Sequence, residues 1–328
     1  MPKIVAVDTD FEDNNLEEAM ARDAGIEFEV THGRTAQAVI DGLLETGADA
    51  AVTSYAMFPR EVFEACSNLK AVSRTGVGYD EIDVEAATEH GVAVCNVPGY
   101  GTEVVSDHAI TLALSVLRRI NELDADMRRG VWDYARTRPL GQCRGRVFGV
   151  VGMGEIGRAA AKKAAGMGFE VVCWSRSLKP GRRTPEGCPV LRLEELLQTA
   201  DVVSLHTALT PETHHLINAE RLALMKPDAV LVNTARGAVV DTVALAQALC
   251  EDKLWGAGLD VFEQEQPFDF DHPIMKAPHT VLSAHAAYWS EESGRELRER
   301  AMQAAIDAVQ GRVPVDCLNP CVFDSSAR

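Results

Sequence analysis

A chain of 328 residues, 46% hydrophobic and 25% charged, is long enough for two ordinary domains and has a globular balance of residues. Its formal net charge of −17 opposes general affinity for nucleic acid or anionic membrane, and no apolar run reaches the roughly 18 residues of a membrane span. The N-terminus turns acidic at DTDFEDNN, where a secretory leader needs its apolar core, so a cytoplasmic protein is expected, with a small molecule as its partner and neither nucleic acid nor membrane.

Strand-like and helix-like runs alternate from the start. IVAVD, FEVTH, AAVTS, LKAVS and VAVCN read as strands, and LEEAMARDAG, AQAVIDGLLETG, REVFEACS and VEAATEHG as the helices between them. This is the pattern of a parallel sheet covered on both faces. Asn96-Val97-Pro98-Gly99-Tyr100-Gly101 interrupts it, and Thr102 stands where it would cap a long helix through Ile120. After Arg146 the pattern restarts with RVFGVVG, FEVVCWS, DVVSLHT, AVLVNTA, WGAGLDV and TVLSAH. That second sheet is complete near His285. The amphipathic stretch SEESGRELRERAMQAAIDAVQG, stopped by Gly311, therefore needs another surface and is expected to return to the first unit. The expected architecture is α/β, with two doubly wound parallel-sheet domains. A Rossmann dinucleotide-binding domain (101–290) is inserted into a flavodoxin-like substrate domain (1–100 and 291–328).

The eight cysteines (Cys66, Cys95, Cys143, Cys173, Cys188, Cys250, Cys317 and Cys321) form no C-x-x-C pair, and most lie in apolar runs. Buried, reduced thiols are the simplest account, and no metal site is expected. His214 and His215 are adjacent in a helical-looking stretch, where neighbours face different ways, so they are not read as ligands either.

The sharpest local signal is the strand RVFGVVG running into Gly152-x-Gly154-x-x-Gly157, followed by the helix RAAAKKAAGMG. The first glycine permits the tight turn, the second lets backbone approach a diphosphate, and the third lets helix and strand pack closely. The helix N-terminus then offers N–H groups and a partial positive charge to the phosphates. A plain Gly-rich turn is the alternative. The next strand, FEVVCW, ends in Ser175-Arg176-Ser177, with Lys179, Arg182 and Arg183 beyond and no acid for a ribose 2′-hydroxyl. A hydroxyl and a guanidinium suit a 2′-phosphate, which favours NADP. A solvated basic loop, with an NAD ribose held by Ser175 alone, remains open.

With these features the sequence resembles the D-isomer-specific 2-hydroxyacid dehydrogenases. The resemblance rests on RTGVGYDEIDVEAATEHGVAVCNVPG, TEVVSDHAITLAL, GVVGMGEIGR, LHTALTPETHHLIN, LVNTARGAVVD, GAGLDVFEQE and SAHAAYWSEES, in this order. The YDEIDV and SEES segments are nearest the branch that includes the C-terminal-binding-protein corepressors. It implies hydride transfer between NAD or NADP and a small 2-oxo or 2-hydroxy acid, in a cleft between the domains. Arg236 matches the substrate arginine, whose planar fork suits a carboxylate beside a carbonyl. His285 matches the acid/base histidine, and Glu265 its partner carboxylate. Ala284 and Gln266 stand where the family usually has prolines, and Glu263 is the fallback partner if the loop is shifted. For the cofactor, the resemblance implies contacts from Val105, Glu155, Ile156, His206, Thr207, Thr234, Ala235, Arg236 and His285, and a carboxamide acceptor in Asp260. For the substrate, it implies the backbone amides of Val77 and Gly78, with Arg74 at the entrance and Tyr55 as a wall. A homodimer through the helix after the hinge and the Trp132 region is also implied. The rival reading is an NAD(P)H-sensing, corepressor-like binding protein with little turnover.

Overall fold

The computed structural model describes residues 1–9, 11–265 and 267–324. The chain divides into two compact units, Met1–Tyr100 with Ser290–Arg328, and Gly101–Trp289.

In the first unit, β1 (Lys3–Ala6), α1 (Asn15–Ala24), β2 (Glu27–Val30), α2 (Ala36–Thr46), β3 (Ala50–Thr53), α3 (Arg60–Ala65), β4 (Ala71–Arg74), α4 (Val84–Glu89) and β5 (Ala93–Cys95) alternate along the chain. The strands are all parallel, in the order β2-β1-β3-β4-β5, which is the flavodoxin-like order. β3, β4 and β5 are buried from end to end because helices cover both faces. Val5, Val39, Leu43, Phe58, Val62, Phe63 and Val72 form the core. The C-terminal helix (Glu291–Val309) packs on β3, β4 and α1. Ser73 donates to the carbonyl of Ala301 at 2.8 Å, and Arg298 grips both carboxylate oxygens of Glu17 at 2.8 and 2.6 Å. The Ser290 hydroxyl caps this helix by accepting the Ser293 N–H at 3.1 Å.

The second unit holds α5 (Thr102–Leu117), α6 (Ile120–Arg128), β6 (Val147–Val151), α7 (Glu155–Gly166), β7 (Glu170–Trp174), α8 (Leu193–Thr199), β8 (Val202–Leu205), α9 (Ala219–Leu222), β9 (Val230–Asn233), α10 (Thr242–Cys250), β10 (Gly256–Leu259) and β11 (Thr280–Leu282). Its six strands are parallel, in the order β11-β10-β9-β8-β6-β7. Beyond β7, the place of a further strand is held by a single parallel bridge between Cys173 and Val190. The segment carrying Val190 folds back on itself, with Val190 N–H donating to Arg182 at 2.8 Å and Gly181 N–H donating to Val190 at 2.9 Å. With that bridge counted, the strand order is the doubly wound one in which the chain reverses beside β6.

Two local expectations are corrected. Thr102 does not cap α5. Gly101 occupies the capping position without a side-chain acceptor, and Thr102 is the first helical residue. Nor does that helix reach Ile120. Arg119 adopts φ 48°, and its guanidinium lies 4.1 Å from the Trp255 ring centroid and 2.9 Å from Nδ1 of His279. Tertiary contacts, and not a glycine or proline, end the helix and start a new one at Ile120.

Candidate active site

The C-terminal edge of the second sheet carries most of the residues of interest, one strand at a time. β6 runs into the glycine turn. Gly152 has φ 101°, and a Cβ there would stand 2.5 Å from the His206 carbonyl oxygen. A Cβ at Gly157 would stand 1.9 Å from the Gly152 oxygen. These two glycines are required by the fold itself. Gly154 differs: it is exposed, and a Cβ would meet nothing within 4 Å. It caps α7 without any side-chain acceptor, so the first N–H groups of that helix, beside Glu155 and Ile156, face an open approach. A diphosphate fits there by both sterics and dipole.

β7 leads into Ser175 and Arg176. The Arg176 guanidinium is exposed and loosely paired with Glu212 at 3.4 Å, an exchangeable contact. β8 leads into His206 and Thr207. Burial of the His206 imidazole lowers its pKa to about 4, so it is neutral, and its Nε2 lies 2.9 Å from the Ser204 hydroxyl. Val105 is buried in α5.

β9 ends in the loop Thr234-Ala235-Arg236. The buried Asn233 shapes it by donating to the Arg236 carbonyl at 2.9 Å and accepting the Ala235 N–H at 3.0 Å. Arg236 is half-buried, with Nη1 donating to the Ala235 carbonyl at 2.9 Å. The Thr234 hydroxyl is buried without a hydrogen-bond partner. An orphaned hydroxyl at a strand end is a vacancy that a ligand hydroxyl or amide can fill.

β10 and β11 build the acid/base pair. Asp260, fully buried, follows β10. Its carboxylate accepts the Ser283 hydroxyl at 2.5 Å, the Ala286 N–H at 2.9 Å and the Ala287 N–H at 2.9 Å, while its carbonyl accepts the His285 N–H at 2.7 Å. His108, on α5, places Nε2 2.9 Å from the Ser283 hydroxyl. His285 is thus bracketed on both sides and held at φ 51°, a conformation uncommon outside glycine. Its Nδ1 lies 2.7 Å from Oε2 of Glu265, whose Oε1 accepts the Phe262 N–H at 3.2 Å. The Tyr288 ring meets the imidazole in a T-shaped arrangement, with ring centroids 5.8 Å apart. The carboxylate engages Nδ1 and thereby sets the orientation of the ring.

Glu263, the fallback partner, is engaged elsewhere. It accepts the Thr242 hydroxyl at 2.6 Å and pairs with His215 Nε2 at 2.8 Å. Desolvation opposes its charge, but the Thr242 and His215 bonds outweigh it and hold the carboxyl below the usual range. The stretch around His214 and His215 is a run of turns and not a helix: His215 has φ 47°, and the two rings stack 4.1 Å apart. Among the described residues no group of three His, Cys, Asp or Glu could hold a metal ion. Gln266 lies outside the described residues.

The first unit presents its own strand ends. Tyr55 follows β3, with the guanidiniums of Arg34 and Arg74 at 5.0 and 5.7 Å from its ring centroid. Its N–H and that of Ser54 are held by the Asp8 carboxylate, each at 2.8 Å. Arg74 is buried, donates to the Thr75 carbonyl at 2.8 Å, and leaves Nε without a hydrogen-bond partner. Val77 is exposed, and the Asn96 side chain fixes its carbonyl at 2.7 Å.

Asp8, Asn233, His108 and Ser283 were not singled out from sequence. For His108 a signal existed: it is a lone imidazole on the apolar helix TEVVSDHAITLAL.

Residues 110–287 match the family model described as the D-isomer specific 2-hydroxyacid dehydrogenase, NAD binding domain. A glyoxylate reductase of Thermococcus litoralis is 40% identical over 273 residues, covering 81% of this chain and 82% of the relative. The D-lactate dehydrogenase of Aquifex aeolicus, solved with NAD and lactic acid, superposes with a TM-score of 0.86 at 27% identity, over 96% of this chain and 99% of that one. An acyclic imino acid reductase solved with NADPH and D-Arg superposes with a TM-score of 0.85 at 27% identity, over 96% and 99% of the two chains.

Proposed function

This chain belongs to the D-isomer specific 2-hydroxyacid dehydrogenases, and we propose that within this family it reduces a small 2-oxo acid of the glyoxylate type by proton delivery from His285. It is an NAD(P)-dependent oxidoreductase of small 2-oxo and 2-hydroxy acids. The relatives reported above are reductases and dehydrogenases, and the corepressor reading finds no support among them.

The observation that carries the reading is the 2.7 Å contact between His285 Nδ1 and Glu265. The dinucleotide, when bound, supplies or takes up the hydride. The residues supply the rest. Arg236 clamps the substrate carboxylate as a planar fork. His285 Nε2 gives its proton to the oxygen of the former ketone, and takes it back in the reverse direction. Glu265 fixes the ring and balances the imidazolium charge. Asp260 acts through the loop it holds, since both its oxygens are engaged within the fold. The amides of Val77 and Gly78, with Arg74 and Tyr55, are the substrate contacts of the first unit. The glycine turn, Val105, His206, Thr207, Thr234 and Ala235 take the cofactor, and the Thr234 hydroxyl finds its partner there.

Ser175 and Arg176 favour NADP, with Arg176 leaving Glu212 for the 2′-phosphate. Trp132 and Tyr134, 88% and 66% exposed, support a homodimer that buries them. The test is a panel of glyoxylate, hydroxypyruvate, pyruvate and phenylpyruvate, each assayed with NADPH and NADH. The expected result is the highest kcat/KM with glyoxylate or hydroxypyruvate and NADPH. Turnover of none of the four acids would overturn the reading.

A further inference from the structure

The eight thiols are not equivalent, and two of them face each other. After the C-terminal helix, the chain runs antiparallel beside β5. Leu318 N–H donates to the Val94 carbonyl at 2.8 Å and Asn96 N–H to the Asp316 carbonyl at 3.4 Å. These bonds bracket Cys95 and Cys317, which form the bridge between them without a backbone bond of their own. On an antiparallel ladder such a pair brings its Cα atoms to about 4.5 Å, with the side chains at their closest. That separation lies within the range of about 4.4–6.8 Å that a disulfide spans. Asn319 locks the register: its Oδ1 accepts the Val94 N–H at 2.8 Å, and its Nδ2 donates to the Thr88 hydroxyl at 2.8 Å and the Val92 carbonyl at 2.9 Å.

The two sulfurs are also differentiated. Cys95 is fully buried, whereas Cys317 is partly exposed. The Cys317 Sγ lies 3.6 Å from Asn319 Oδ1, and the neighbouring Cys95 side chain, against desolvation and with help from the Asn319 and Val94 backbone, brings Cys317 down to about 7. The closeness of Cys317 and burial push Cys95 far up. The partly exposed Cys317 sulfur is thus the one a small oxidant can reach, and Cys95 is shielded behind it.

We propose that Cys95 and Cys317 form a peroxide-responsive dithiol, with Cys317 as the reacting thiol and Cys95 as the resolving one, closing a disulfide that ties the C-terminal segment to β5. The Cys317 thiolate attacks one oxygen of hydrogen peroxide. The O–O bond breaks, a proton is taken up, one water leaves and a sulfenic acid remains on Cys317. The Cys95 sulfur then attacks the Cys317 sulfur. The S–O bond breaks, and the hydroxyl leaves with the Cys95 proton as a second water. Two thiols lose two electrons, and one peroxide becomes two waters. None of these residues belongs to the glycine turn or the His285 loop, so the proposal stands apart from the assignment of the active site.

The experiment uses the full chain. It is treated with hydrogen peroxide at pH 7.5, the remaining thiols are blocked with N-ethylmaleimide, and the unreduced digest is analysed by mass spectrometry. The expected product is a Cys95–Cys317 cross-linked peptide pair that dithiothreitol dissolves. The oxidised form should gain roughly 5 °C in Tm, because a long loop is closed. In Cys95→Ser, dimedone should trap a sulfenic acid on Cys317. Cys95 and Cys317 both still alkylated after other thiols have reacted would overturn the proposal, as would Cys317 linked to the nearby Cys321. The wild-type measurement decides even if Cys95→Ser fails to fold.

Discussion

The glycine turn after β6 and the histidine loop after β11 sit on the same edge of the same sheet, yet they are built in opposite ways. The turn is shaped by backbone packed against backbone, with Gly152 and Gly157 pressed to within a Cβ of carbonyl oxygens. The loop is shaped by a side chain: buried Asp260 reaches across from the neighbouring strand to collect the amides of Ala286 and Ala287 and the Ser283 hydroxyl. One device uses the absence of side chains, and the other uses a carboxylate 25 residues away from His285. A turn of the first kind admits a ligand because nothing is there. A loop of the second kind holds a reactive group in a conformation, φ 51°, that the chain would not choose alone.

Single substitutions separate the two devices. The largest effect is expected from His285→Ala, which should lower kcat by on the order of 10²–10⁴-fold while the cofactor still binds, as read by nucleotide fluorescence. Retained turnover would remove His285 from the chemistry. Next comes the turn. Gly154→Ala meets no atom of the protein, so Tm should hold within about 2 °C. The Kd for NADPH should nevertheless rise about 10- to 100-fold, because the methyl group occupies the diphosphate approach. Gly157→Ala should instead cost stability, its Cβ lying 1.9 Å from the Gly152 oxygen. If both variants behave alike, the division between fold glycines and ligand glycine is wrong.

A smaller effect is expected from the loop's support. Asp260→Asn puts an NH₂ group opposite an N–H or hydroxyl donor, and kcat should fall about 10-fold with little change in cofactor Kd. Ser283→Ala should do less. An unchanged kcat in Asp260→Asn would mean that the loop holds itself. The smallest effect is one of stability. His206 has a folded pKa of about 4 against an ordinary 6.5, so the unfolded chain binds more protons between those values. Stability present above pH 6.5 is lost as the pH falls, by about 2 kcal/mol at pH 5. Urea denaturation of His206→Gln should show that much less loss between pH 7 and pH 5.

Much of this was legible in the sequence, for reasons that differ by residue. Among the described residues all eleven strands fall in the short apolar runs of the sequence, β-branched in every one but β10, because a parallel sheet covered on both faces asks for little else. The glycine turn was legible because its constraint is local. Glu265 was legible only beside its rival Glu263, two residues away. What separates them is that His215 and Thr242, distant in sequence, take Glu263. The break at Arg119 was invisible, because Trp255 and His279 impose it from 136 and 160 residues downstream. His108 and Ser283 were missed for the same reason: their roles exist only once α5 lies against β11.

The outer edge of the second sheet, finally, is secured to the 182–190 segment through one bridge, at Val190. The stretch between Ser175 and Pro189 is of two kinds. Cys188 lies in the hydrophobic interior, Leu178 packs against it, and the buried Thr184 hydroxyl accepts the Cys188 N–H, whereas Arg176, Ser177, Lys179, Arg182 and Arg183 are exposed. If the proposed 2′-phosphate preference holds, these exposed positions are the ones to retune, because exchanging them leaves the buried anchors in place.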